Sequence, residues 1–276
     1  MNALLSQLAK LNPWKKAPVP LIPLVEWQAA TRGYRFMRGL SVEEERRLRF
    51  ISSDFLTRKN ILGAAQLDIT PRMQIEIAAQ ASTLVLEMGL DAYEGWTDII
   101  VYPSQFMPER EVIDAAGVVH TSRDVLAGEA WLHGPVVLSY EDVARTGTDA
   151  AIEGFNVVIH EFAHKLDMRN GDANGFPVLP KSISARHWER TFKAAYLQFC
   201  EAVDTAEVRA RLDGGAALDR LPLDPYASEN PAEFFAVISE AFFEIPGNVR
   251  ESWPEVYDLL AQFYGQDTFA RQREVM

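Results

Sequence analysis

Asn156-Val157-Val158-Ile159-His160-Glu161-Phe162-Ala163-His164-Lys165-Leu166-Asp167 is the stretch on which the fold turns. Apolar residues return there at helical spacing: Ile152, Phe155, Ile159, Phe162 and Leu166 share one face of a helix expected from about Ala151. Val157 and Val158 widen that surface, and a helix apolar on most sides is normally buried. Two imidazoles and a carboxylate inside such a helix need compensation, because unpaired polar groups are costly to bury. His160 and His164 lie about one turn apart and project from one face. Both rings can therefore reach a single tetrahedral zinc ion at about 2.0–2.1 Å. Glu161 is rotated by about 100° from His160. That offset keeps it out of the same coordination sphere and lets it serve an attacking water as general base. The expected cofactor is one Zn2+ per chain.

Two histidines leave a catalytic zinc one protein ligand short. The chain has five histidines, and His120, His133 and His187 show no partner spacing, so they read as ordinary side chains. A third histidine six residues beyond His164 is ruled out, because that position is Asn170. A structural zinc site recruits cysteines, and Cys200 is the only one present. A glutamate from a second helix is the other solution. The segment from Tyr226 to Glu244 offers Glu233, Glu240 and Glu244 along one face of an otherwise apolar helix. Glu233 has a competing role: with Asn230 as N-cap and Pro231 at the first helical position, it stands third in a capping box. Spacing leaves ligand and cap open, with Glu240 as a rival ligand. Asp167 reads either as a carboxylate orienting a ligand imidazole or as a solvated group near the helix end.

Outward from this core, residues 1 to 12 suggest a short amphipathic helix, followed by an extended connector at Pro18, Pro20 and Pro23. Ser41 and Glu44 form a capping-box pattern opening a helix from about Val42 to Lys59, and Thr70-Pro71 opens another that runs toward Gly89. Strands are expected at 97–102, 117–121 and 131–140, the last interrupted by Gly134-Pro135 and so read as an edge or bulged strand. Further helices are expected near 185–212, from Pro231 to about Glu244, and around Glu255 to Tyr264. Helices, then a small sheet, then helices is an α+β order. The expectation is a single domain over 1–276, mainly helical to residue 90, with the sheet, the histidine helix and the C-terminal helices beyond.

Composition narrows the partners. A net charge of −12 without a Lys/Arg block argues against direct nucleic-acid binding. No run of about 18 apolar residues suggests a membrane span, and the N-terminus lacks a secretory pattern. One cysteine excludes an intramolecular disulfide; Cys200 reads as a small core residue. A cytoplasmic protein is expected.

The stretch 156–172 together with Asn230-Pro231-Ala232-Glu233-Phe234-Phe235-Ala236-Val237 closely resembles the Mlc titration factor A family, bacterial zinc peptidases related to the catalytic domain of anthrax lethal factor. The resemblance implies a zincin-like fold, with a small mixed sheet, an active-site helix and flanking helices. It implies His160, His164 and Glu233 as zinc ligands, Glu161 as base, and Tyr226 as a hydrogen-bond donor to the developing oxyanion. The alternative for Tyr226 is a loop tyrosine packed on the helix. The resemblance further implies aminopeptidase-like hydrolysis of peptide substrates and binding of the repressor Mlc, hence an influence on sugar phosphotransferase genes. The alternative is a repressor-sequestering protein whose peptidase activity is secondary. The stretch between the motifs looks longer than the family pattern, with Ala206 to Asp219 the expected place of the extra residues.

Overall fold

The computed structural model describes residues 18–105, 109–113, 119–123, 128–130, 134–146, 154–213 and 215–273. The amphipathic segment expected at residues 1–12, residues 117–118 and 131–133 of two expected strands (His133 among them), and Ala151 and Ile152 at the expected start of the histidine helix lie outside them.

Helix α1 spans Leu24–Thr31 and α2 Val42–Arg58. The capping box at α2 forms as expected: Glu44 N–H donates to Ser41 Oγ at 3.2 Å, and Ser41 N–H donates to Glu44 Oε2 at 2.8 Å. Strand β1, Asn60–Gly63, follows directly and was not expected, because four residues are too few for a period to show. Helix α3, Pro71–Leu84, starts with proline at its first position under the Thr70 cap.

Strand β2 is Asp98–Tyr102; Ile99 and Val101 are wholly buried, and their neighbours along the strand are less so. A hairpin of β3, Glu109–Ile113, and β4, Val119–Arg123, forms a separate antiparallel pair, and His120 lies in β4. Strands β5, Gly128–Ala130, and β6, Val136–Ser139, complete the main sheet in the order β1-β2-β6-β5. The first three are parallel, with Ile99 opposite Val136, whereas β5 is antiparallel, with Glu129 opposite Val137. The sheet is thus small and mixed, in an α+β setting. One expectation is corrected: β6 is an interior strand, not an edge. Its run of four buried residues reflects cover on both faces and partners on both sides. The edge on that side is β5.

After the short helix α4, Tyr140–Arg145, come α5, Val157–Asp167, the 29-residue α6, Ala185–Asp213, and α7, Pro231–Glu244. Three shorter helices end the described chain: α8, Pro246–Ser252; α9, Pro254–Tyr264; and α10, Thr268–Arg273. Helix α5 begins later than its periodicity suggested. Gly154 has φ +85° and Asn156 is extended with its side chain capping Ile159 N–H, so Phe155 precedes the helix.

Helix α5 lies between the sheet and α7. Its Phe162 ring is fully buried against Phe55, Tyr93 and Trp96, with centroids 5.7, 5.0 and 5.6 Å away. On the other side, Trp188 of α6 stacks on Phe192 at 4.1 Å and meets Phe235 of α7. These aromatic contacts anchor α5 and α7 into one core. Among the described residues, no helix is long and apolar enough to cross a membrane.

Candidate metal centre and active site

The first turns of α7 face the middle of α5. His160 Nε2 stands 3.1 Å from Glu233 Oε2, His164 Nε2 stands 3.2 Å from the same oxygen, and the two Nε2 atoms are 3.2 Å apart. Donors held about 2.0–2.1 Å from a tetrahedral zinc are about 3.3 Å from one another. The triangle therefore has the size a metal ion requires. Two nitrogens and a carboxylate oxygen also suit zinc chemically. Among the described residues, this is the one group of three or more metal-binding side chains whose donor atoms converge in this way.

Local sequence explains how Glu233 arrives there. Asn230 alone caps α7, its Oδ1 accepting from Ala232 N–H at 2.9 Å and Glu233 N–H at 3.1 Å. The cap thus uses the Glu233 amide and leaves its carboxylate for the histidines, so the two roles weighed for this residue fall on different atoms. Behind the cap, Gly175 has φ +76°, and a Cβ on it would stand 2.5 Å from the Pro231 carbonyl oxygen. Asp167, fully buried, accepts the amides of Asn174 and Gly175 at 2.7 Å each. The C-terminal end of α5 thereby pins a loop that lies against the first residue of α7. Asp167 is not a solvated carboxylate; it holds backbone, and no hydrogen bond joins it to His164 in this structure.

Glu240 is not in the triangle. Its Oε1 accepts from His160 Nδ1 at 2.8 Å, which leaves Nε2 to face Glu233. A carboxylate on the far nitrogen fixes the tautomer and rotation of a metal-binding imidazole. Glu240 meets the back of the ring, Glu233 the front.

Glu161 is buried, 4% exposed, beside His160 on α5. Tyr226 sits in a single 3-10 turn, Pro225–Ser228, with its ring centroid 6.2 Å from that of His160 and about half its surface exposed. Its N–H donates to Asp224 Oδ1 at 2.9 Å. Helix α6 holds the turn, as Tyr196 hydroxyl donates to the Ser228 carbonyl at 3.1 Å, while half-buried Cys200 lies 3.8 Å from the same oxygen. His187 is engaged elsewhere, with Arg190 at 3.1 Å.

The charges are mutually dependent. Burial works against the charged form of His160, but hydrogen bonds to Glu233 and Glu240 and the nearby Glu161 charge hold its pKa well above the ordinary imidazole value. Burial likewise opposes ionisation of Glu233, yet the two histidines hold its carboxyl far below the usual range. Glu240 is raised by burial, against the hydrogen bonds it receives.

Burial also raises Glu244, one turn beyond Glu240, to about 7 from the ordinary 4.5. An acid whose pKa is raised by folding is protonated in the folded state where the unfolded chain has already ionised. It therefore erodes stability as pH climbs from about 4.5 to about 7, with no further loss above. Glu244→Gln removes this loss. Its melting temperature is expected to gain on wild type across that window by about 5 °C and then keep a constant lead. A difference that does not vary with pH in thermal melts would refute this.

Two histidines on one helix, a glutamate from another and a buried acid between the histidines constitute the chemistry of a metallopeptidase. The chain matches the family model described as glucose-regulated metallo-peptidase M90 over residues 11–265, and it belongs to that family. It is 36% identical over 261 residues to Mlc titration factor A of Pectobacterium atrosepticum, covering 94% of this chain and 92% of that protein. The protein of the same name from Serratia proteamaculans is also 36% identical, with 94% of each chain covered. That from Yersinia pestis is 34% identical, over 94% of this chain and 90% of its own length.

Proposed function

We propose that this protein is a zinc-dependent peptidase that hydrolyses peptide bonds with an aminopeptidase-like preference, His160, His164 and Glu233 holding the ion. The observation that carries this reading is the triangle of donor atoms, with edges of 3.1, 3.2 and 3.2 Å, beside the buried acid Glu161. Zinc, when bound, supplies Lewis-acid polarisation of the scissile carbonyl and acidifies water. Glu161 takes the proton from the attacking water and delivers it to the departing amine. Tyr226, exposed and beside His160, donates its hydroxyl hydrogen bond to the oxyanion. Glu240 keeps His160 in the tautomer that presents Nε2.

The substrate backbone adds to β5. Among the described residues, this strand pairs with β6 alone and lies against α5, so its outer edge offers hydrogen-bonding groups to an extended peptide. The test is hydrolysis of chromogenic aminoacyl anilides and short peptides before and after chelation. Activity is expected to vanish on chelation and to return with one equivalent of zinc; turnover indifferent to chelation would end this proposal.

A second reading is favoured by the name of the relatives, which describes them as titrating Mlc. On that reading the protein binds an Mlc-type repressor in the cytoplasm and influences sugar phosphotransferase genes without touching nucleic acid or membrane. Capture of the repressor by the Glu161→Gln variant separates the two roles, because sequestration survives loss of the base.

A further inference from the structure

Glu240 and Glu244 lie one turn apart on α7, 2% and 4% exposed. Two adjacent carboxylates are costly to bury unless something specific receives them. Both converge on Asn156, itself fully buried. All four of its polar atoms are used. Its N–H donates to Glu240 Oε2, and its Nδ2 donates to Glu244 Oε1 at 2.8 Å. Its Oδ1 accepts from Ile159 N–H at 3.0 Å, and its carbonyl accepts from His160 N–H at 2.9 Å. Glu240 meanwhile turns its other oxygen to His160 Nδ1 at 2.8 Å.

A cap by itself does not demand asparagine here. Serine and aspartate cap helices about as well, but aspartate has no donor, and a serine hydroxyl engaged with the Ile159 N–H ends one bond short of the Nδ2 that reaches Glu244. The side chain sits where the start of α5 meets the buried acids of α7, and one of those acids grips the His160 ring.

We propose that Asn156 is a positioning residue for the metal centre: it locks the start of α5 to Glu240 and Glu244, and so fixes the height and rotation of the His160 imidazole. This rests on His160 being a metal ligand. Asn156 touches neither substrate nor ion. It acts through Glu240, which its backbone N–H orients, and through the cap, which sets where that N–H points. Glu244 completes the lock as the acceptor for the side-chain amide.

The test measures zinc affinity of the full chain by competition with a chromophoric chelator, alongside melting of the chelator-treated protein. Asn156→Ser retains a cap oxygen and loses the amide donor. Its zinc affinity is expected to fall about tenfold or more, the scale for residues supporting a ligand. Combined with Glu240→Gln, the loss should be clearly less than additive, since both act on one ring. Glu244→Leu should weaken zinc similarly. Glu244→Gln, whose amide oxygen still accepts from Nδ2, should restore affinity to within about threefold of wild type. Wild-type zinc affinity in Asn156→Ser, with cooperative melting retained, overturns the proposal. Should that variant fail to melt cooperatively, wild-type affinity in Glu244→Leu overturns it instead. His160→Ala tells the two readings apart: undiminished zinc there removes the metal site itself, whereas loss there with no loss in the other variants removes only the role of Asn156.

Discussion

Glu161→Gln is expected to retain zinc at the wild-type stoichiometry while turnover falls by about 10²–10⁴-fold, the range attributable to a positioned general base. The change is nearly isosteric and leaves the three proposed ligands untouched. Metal content by elemental analysis and kcat on a chromogenic peptide check the two halves separately. Tyr226→Phe should lower kcat by about 10²-fold with little change in KM, because a donor to the oxyanion acts on the transition state alone. Undiminished turnover in Glu161→Gln would remove proton transfer by this residue from the mechanism.

Glu233→Ala should lose zinc more severely than the about 10–100-fold expected for a residue that merely supports a ligand. Glu240→Gln should fall within that lower range. The contrast follows from which side of the His160 ring each carboxylate meets: Glu233 is 3.1 Å from Nε2, and Glu240 is 2.8 Å from Nδ1. Elemental analysis after dialysis, with chelator competition, reads both. Full zinc retention in Glu233→Ala would mean that another group supplies the third ligand.

The histidine helix and the start of α7 were legible in the sequence because both depend on local chemistry. A four-residue histidine spacing puts two rings on one face wherever the helix lies, and Asn230-Pro231 opens a helix by its own capping. The division of labour among Glu233, Glu240 and Glu244 was not legible. All three share a face of α7, and only the placement of α5 against that face decides which carboxylate meets the front of a ring, which the back, and which an amide. The role of Asp167 was not legible for a related reason: its partners, Asn174 and Gly175, belong to a loop whose return to the helix is a tertiary event. The sheet was only partly readable. A β-rich run stopped by Pro103 marked β2, while β1 and β5 are too short to stand out and depend on their neighbours. Gly134-Pro135 read as an interruption within an edge or bulged strand over 131–140, yet β6 begins just beyond it and lies inside the sheet.

His164 and Glu233 are 69 residues apart in sequence, with the whole of α6 between them. An ion shared by α5 and α7 is therefore a reversible cross-link as well as a reagent. It closes a long loop, and it binds the folded chain in preference to the unfolded one. At a hundred times its dissociation constant, such a ligand adds about 2.7 kcal/mol to stability. On the proposed zinc reading, supply of the ion sets two properties together, the capacity for hydrolysis and the resistance of α5, α6 and α7 to unfolding and proteolysis. A cell short of zinc would hold fewer intact molecules as well as fewer active ones.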